Sequence, residues 1–65
     1  ENAIRVRRAV AQLPERIRHV VILRWAHDLS RAEIATILGT SEKTVANQLQ
    51  RARELLREML SDTKS

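Results

Sequence analysis

A group of polar side chains recurs along residues 43–54 at spacings that bring them to one face of a helix. Asn47, Gln50 and Arg51 lie at its centre, and their amide and guanidinium groups form paired hydrogen bonds, Asn or Gln with adenine and Arg with guanine. At 100° per residue, Lys43 and Glu54 share this face, which points away from the apolar side chains of the same segment. The pattern favours a surface that reads bases in a DNA groove. The simpler alternative is a charged, solvated helix face.

The helix that carries these side chains follows a shorter helix and a tight turn. The landmarks are a capping-box pair, a glycine that can take the left-handed conformation ending a helix, and two candidate N-caps: Ser30 with Glu33, Gly39, and Thr40 with Ser41. Residues 30–53 are therefore predicted to form a helix-turn-helix, whose second helix can enter the major groove.

Apolar residues at helical spacing predict the inner faces of these two helices. The face of the first comprises Ile34, Ala35, Ile37 and Leu38. The face of the second comprises Val45, Leu49, Ala52, Leu56 and either Met59 or Leu60.

Two further helices are predicted before this pair. The first covers residues 3–12, with Ala3, Val6, Val10 and Leu13 facing inward and Ile4 outside this stripe. The second begins at Pro14, which suits a first helical turn, and extends to residue 26 or 27. Because its middle is apolar on nearly all sides, it is predicted to be the buried helix, with Trp25 packed beside the core. The predicted fold is all-α, with four helices and no wing, in a single domain covering residues 1–65.

Composition narrows the class of protein. A chain of 65 residues is one small domain, and with no cysteine it has neither disulfides nor thiolate metal sites. No apolar run approaches the roughly 20 residues of a membrane span. A net charge of +4 suits a polyanionic partner. We expect a soluble, cytoplasmic protein.

The sequence offers little for catalysis. His19 and His27 are eight residues apart, and Asp28 follows His27 directly instead of sharing a helical face with it. No proton-transfer pair or metal site is therefore indicated, and the single glycine excludes a glycine-rich phosphate loop. We predict that the protein is not an enzyme and has no cofactor or metal.

Positions around the start and flank of the last helix suit contacts with phosphate oxygens. They are Ser41, Lys43, Thr44 and Arg53. Glu54 and Glu58 would repel phosphates, so the helix is expected to leave the groove at that turn.

The chain resembles region four of bacterial sigma factors, particularly the extracytoplasmic-function type, from about residue 9 to residue 60. The resemblance is carried by Leu13-Pro14, Val20-Val21-Ile22-Leu23, Leu29-Ser30, Glu33-Ile34-Ala35, Leu38-Gly39, Ser41, Thr44-Val45, Leu49 and Arg51-Ala52-Arg53. It implies the C-terminal module of a longer sigma factor, which binds the promoter −35 element, docks on the β flap of RNA polymerase and is a potential target of an anti-sigma factor.

The base-reading positions implied by the resemblance are Ala46, Asn47, Gln50 and Arg51. Members of the family often carry Arg or Lys where this chain has Ala46, so one contact is absent and the preferred −35 sequence cannot be copied from a relative. A surface for the flap is expected from the first two helices and the last, with Ile4 a candidate. The isolated domain is expected to be a monomer.

Two other classes share some of these features. A LuxR-type output domain of a response regulator has similar Glu-Ile-Ala and Thr-Val landmarks, but this chain lacks the usual opening and closing motifs of that class. A helical protein-interaction module that has lost base recognition would keep the fold without a preferred DNA sequence.

Overall fold

A computed structural model describes residues 2–61, and the side chains of residues 3–61. It has four α-helices: α1 (Asn2–Ala11), α2 (Glu15–Val21), α3 (Arg31–Leu38) and α4 (Glu42–Ser61). A π-helical segment, Ile22–Ala26, continues α2. Within these residues there is no strand, so the predicted all-α fold with a helix-turn-helix is confirmed.

Helix α4 is the element against which the other three α-helices pack. Its buried stripe is the predicted one, Val45, Leu49, Ala52 and Leu56, and Met59 and Leu60 pack at its edge. Val20 of α2, Ile34 of α3 and Val45 of α4 are the largest fully buried side chains. The core is therefore centred where α2 and the two helices of the helix-turn-helix meet.

The predicted capping of the helix-turn-helix is confirmed in detail. Ser30 Oγ accepts a hydrogen bond from the Glu33 amide at 3.1 Å, and the Ser30 amide donates to Glu33 Oε1 at 2.8 Å. Gly39, at φ 68°, ends α3 in the left-handed conformation. Its turn is closed by a hydrogen bond of 2.9 Å from the Thr40 amide to the Ala35 carbonyl.

The second predicted helix changes its winding part-way along. The Arg18 amide donates to the Pro14 carbonyl at 2.8 Å, so Pro14 is the N-cap and α2 begins one residue after the predicted start. Beyond Val21 the turns widen, and the His27 amide donates to the Ile22 carbonyl at 3.3 Å. Asp28 then takes a positive φ of 56°, which short polar residues tolerate. This reversal brings the chain to the start of α3.

Several residues predicted to face the core are exposed, so the buried face of each helix is narrower than the sequence pattern predicts. Ala3 and Val6 are exposed, and Ala9 is the buried side chain of α1 instead, whereas Leu13, just after α1, is buried as predicted. On α3, Ile34 and Ala35 are buried, whereas Ile37 is 59% exposed and Leu38 39%. The predicted buried helix buries only Val20 and Val21, because a domain this small has too few helices to cover all sides of α2.

Candidate nucleic-acid interface

The start of α4 is organised by the hydroxyl of Ser41. Its Oγ accepts a hydrogen bond from the Thr44 amide at 3.1 Å and donates to Thr44 Oγ1 at 3.0 Å. Two of the predicted phosphate contacts thus lie together at the first turn, where both side chains are exposed. Lys43 is exposed between them in sequence.

The face of α4 opposite the core carries the predicted base-reading side chains. Asn47, Gln50 and Arg51 are exposed, and Ala46 is half-buried at one margin. The side chains of Asn47 and Gln50 make no hydrogen bond to the rest of the described chain, so their amide groups are available to a ligand. The structure therefore brings three of the four predicted residues to one open face, with Ala46 at its edge.

Arg51 already has a partner on this face. Its Nη1 donates to Glu54 Oε1 at 3.3 Å, and the two side chains are 56% and 48% exposed. An ion pair this exposed adds little to the stability of the fold, because both charges are also well solvated.

One margin of the face is a polar cleft that we call the arginine cleft. It is lined by Arg24, Arg31, Ala46, Leu49 and Arg53. These arginines come from the π-helical segment, α3 and α4 respectively. Arg24 contacts the loop that leads to α3. Its Nη1 donates to the Leu29 carbonyl at 3.3 Å and lies 3.7 Å from Asp28 Oδ1. Three guanidinium groups around one cleft make it a favourable site for an anion.

The opposite margin is a second cleft, between the start of α2 and α4. Glu15, Arg16 and Ile17 line it from α2, and Thr44, Asn47, Gln48 and Arg51 line it from α4. The exposed face of α4 therefore lies between two clefts, each of which carries at least one arginine from another helix.

Comparison with known proteins decides the family. The family model described as sigma-70, region 4 matches residues 3–56, which include the exposed face and both clefts. This chain belongs to the sigma-70 region 4 family. The predicted resemblance is confirmed, and the match favours it over the LuxR-type alternative.

Two relatives agree with this assignment. The region 4 domain is 35% identical over 57 residues to the ECF RNA polymerase sigma factor SigW of Bacillus subtilis (strain 168), covering 88% of this chain and 30% of that protein. It is 42% identical over 53 residues to the RNA polymerase sigma factor SigV of the same organism, covering 82% of this chain and 32% of that protein. The chain thus spans about a third of the length of these curated relatives. No solved structure matches it significantly.

Family membership also bears on enzymatic activity. Sigma factors are transcription initiation factors and have no enzymatic role of their own, so the prediction that the region 4 domain is not an enzyme is confirmed. Residues 2–61 contain no group of three or more potential metal-ligating side chains. No helix in this part of the chain is long and apolar enough to cross a membrane.

The sequence did not single out Arg16, Arg24 or Arg31 of the region 4 domain. The position of Arg31 is readable from the sequence, because it directly follows the Ser30 cap and so begins α3. No sequence signal indicates Arg16 or Arg24, since only the packing of α2, and of the π-helical segment that continues it, brings them beside the recognition face. All four predicted phosphate contacts are exposed, and Arg53 lies in the arginine cleft with Arg24 and Arg31.

Gln48 of the region 4 domain is half-buried under the second cleft. Its Oε1 is buried and accepts no hydrogen bond from the described residues. A buried carbonyl oxygen without a donor destabilises the fold, because it loses its hydration without compensation.

On another side of the region 4 domain, α1, α2 and the π-helical segment enclose an apolar groove. Its apolar lining comes mainly from Val6, Val10, Val21, Ile22 and Trp25. Arg7 and Arg18 border it, and Arg18 Nη1 donates to the Ala11 carbonyl at 3.4 Å. Exposed apolar surface that is continuous and rimmed by charge is typical of protein docking sites. Ile4, the residue suggested from the sequence, is 54% exposed but does not line this groove.

Proposed function

We propose that this sigma-70 region 4 domain recognises double-stranded promoter DNA at the −35 element and docks on the β flap of RNA polymerase. The observation that carries the proposal is the exposed face of α4, where Asn47, Gln50 and Arg51 lie between two clefts that contain arginines. A helix that follows a tight turn and presents such a face has the geometry of a recognition helix.

The proposed base contacts follow from the chemistry of each side chain. Asn47 and Gln50 each offer an amide that can pair with adenine, and Arg51 offers a guanidinium that can pair with guanine. Ala46 lacks a hydrogen-bonding group, so its contact is apolar and suits the methyl group of thymine. Each well-formed bidentate contact contributes about 1–3 kcal/mol of discrimination between bases.

The proposed phosphate contacts lie on both sides of that face. Arg53 acts with Arg24 and Arg31 in the arginine cleft, while Ser41, Lys43 and Thr44 act at the start of α4. Arg16 extends the second side. Two margins with basic side chains suit the two sugar-phosphate backbones that border a major groove. Each neutralised phosphate makes the slope of log K against log salt more negative by roughly 0.9.

The apolar groove is the proposed docking site for the β flap. It lies on the first two helices, away from the recognition face of α4, so DNA and polymerase can bind at the same time. An anti-sigma factor that covers either surface would block initiation. The proposed role also sets the place of action, which is the cytoplasm, where the polymerase is.

Selection from a randomised DNA duplex library at low salt tests the DNA part of the proposal. The wild-type domain should enrich a short motif without two-fold symmetry, because a monomer presents one recognition helix. Arg51→Ala and Gln50→Ala should each relax one position of that motif. Lys43→Ala should weaken all sequences about equally and lower the salt slope by about one, as expected for a phosphate contact.

Other outcomes would contradict base recognition. If no motif is enriched, or if all three variants weaken every sequence alike, the domain does not read bases. Retained binding to RNA polymerase would then support the protein-interaction module. A palindromic motif with dimers in solution would point to the symmetry of a response-regulator output domain.

A further inference from the structure

The ion pair between Arg51 and Glu54 lies on the recognition face itself. The two side chains are three residues apart on α4, and Arg51 Nη1 is 3.3 Å from Glu54 Oε1. Glu54 lies one helical turn from the exposed Gln50 on this face, at an angle that points away from the core. A carboxylate at this position opposes phosphate binding and therefore lowers the affinity of the proposed recognition face for DNA.

The ion pair contributes little to the stability of the fold, so its main effect is to restrain the side chain of Arg51. Both side chains are about half exposed, and pairs of this kind have small effects on stability. An arginine side chain is long and flexible, and ordering it costs part of the free energy gained on binding. A carboxylate that already restrains the guanidinium reduces this ordering cost. The hydrogen bond uses one N–H of Nη1, and the remaining N–H groups can still pair with guanine O6 and N7.

We propose that Glu54 is a positioning residue for base recognition, an inference that rests on the proposed function. Glu54 holds the guanidinium of Arg51 in the orientation that contacts guanine, and it disfavours the alternative in which Arg51 swings to a phosphate. It therefore increases discrimination at one base pair while it lowers affinity for DNA in general. If Glu54 acted only through its charge, it would lower affinity for all sequences and leave discrimination unchanged.

Glu54→Gln and the matched control Glu58→Gln separate these two roles. Each variant removes one negative charge from an exposed position on the same side of α4, one helical turn apart. The quantity to measure is the discrimination ratio, which is the Kd for the duplex altered at the base pair that Arg51→Ala relaxes divided by the Kd for the selected duplex. Both variants should bind DNA more tightly overall, because a charge that repels phosphates is lost.

Only Glu54→Gln should reduce that ratio, by about two- to fivefold, the range expected for an exposed ion pair. In the background of Arg51→Ala, Glu54→Gln should leave the ratio unchanged, because the group that it positions is gone. Far-UV circular dichroism checks that α4 is intact in each variant.

An unchanged ratio in Glu54→Gln overturns the positioning role, and so does an equal fall in Glu58→Gln. Failure of the proposed function looks different, since the wild type would then select no motif and Arg51→Ala would relax no base pair. That result overturns both proposals, whereas a wild-type motif with an unchanged Glu54→Gln ratio overturns this one alone.

Discussion

The amide of Thr40 donates to the carbonyl oxygen of Ala35 across the turn at Gly39, at a distance of 2.9 Å. A second hydrogen bond, from the Gly39 amide to the Thr36 carbonyl at 3.4 Å, lies inside it. Together they end α3 with the pair of bonds of a Schellman motif. This turn sets the angle at which α4 leaves α3, and hence the direction in which the recognition face points.

Gly39→Ala should destabilise the domain by about 1 kcal/mol, because a residue with a Cβ is strained in the left-handed conformation. The backbone at Gly39 has a φ of 68°, and a Cβ there would meet no atom within 4 Å, so backbone strain alone should set the cost. Urea unfolding followed by circular dichroism measures the change. Gly39→Asn is the control and should cost less, since Asn tolerates this conformation better. Equal losses in the two variants would show that the left-handed conformation is not the cause.

Gln48→Met should stabilise the domain by about 1 kcal/mol, since it removes a buried oxygen that has no donor in the described chain. The side chains are similar in length, and methionine adapts to irregular space. The free energy of unfolding in urea is again the measurement. Gln50→Met is the matched control on the same helix and should change stability little, because Gln50 is exposed. A loss of stability in Gln48→Met would mean that the amide of Gln48 is needed.

Ser30→Ala should raise the pKa of Glu33 and weaken the start of α3. The backbone N–H and then the side chain of Ser30 hold the pKa of Glu33 below its ordinary value of 4.5 by hydrogen bonding to it. Since the folded-state pKa is depressed, this contribution to stability is present above the unfolded-state pKa. It is lost as the pH falls through the folded-state pKa.

NMR titration of the Glu33 carboxyl carbon measures this pKa in the wild type and in Ser30→Ala. Ser30→Ala should also cost about 1 kcal/mol of stability at neutral pH, as loss of an N-cap does. Ser30→Thr is the control and should retain most of the cap. The backbone N–H of residue 30 remains in Ser30→Ala, so an unchanged pKa there would show that the Ser30 hydroxyl does not contribute to lowering the pKa of Glu33.

Trp25 should report directly on occupation of the apolar groove. It is the sole aromatic residue among tryptophan, tyrosine and phenylalanine in the chain, and it is 45% exposed. Addition of a peptide from the β flap should therefore shift its fluorescence to shorter wavelengths. Ile22→Glu should abolish that shift without affecting DNA binding. Ile37→Glu, an equally drastic change at an exposed residue of α3, should leave it intact. A shift that survives Ile22→Glu would exclude the groove.

Local signals predicted the helix-turn-helix well because its boundaries are fixed by local chemistry. The hydroxyl of Ser30, the carboxylate of Glu33 and the missing Cβ of Gly39 act on backbone groups within a few residues. The stripe of α4 was also predictable, because that helix is packed by all three others along one side. Its four buried residues follow the helical period without exception.

The width of the buried faces and the arginine cleft depend on contacts between helices, which local sequence patterns do not encode. Periodicity gives the direction of an apolar face but not its width, so it predicts Ile37 and Leu38 in the core, although they are 59% and 39% exposed. The π-helical winding of residues 22–26 and the reversal at Asp28 have no clear local signal. Without that reversal, Arg24 and Arg31 could not share a cleft with Arg53, and so the arginine cleft was missed.

The 20 residues of α4 form one continuous helix that connects the recognition face with the region of the apolar groove. Its first half carries the exposed face, and its far end packs through Met59 and Leu60 beside Ala9 of α1, the helix that forms one wall of the apolar groove. If a partner binds in the groove as proposed, α4 would also fix the orientation of the recognition face relative to that partner, because one helix connects the two surfaces. The length and direction of α4 would then set the spacing between the polymerase and the base pairs that this domain contacts.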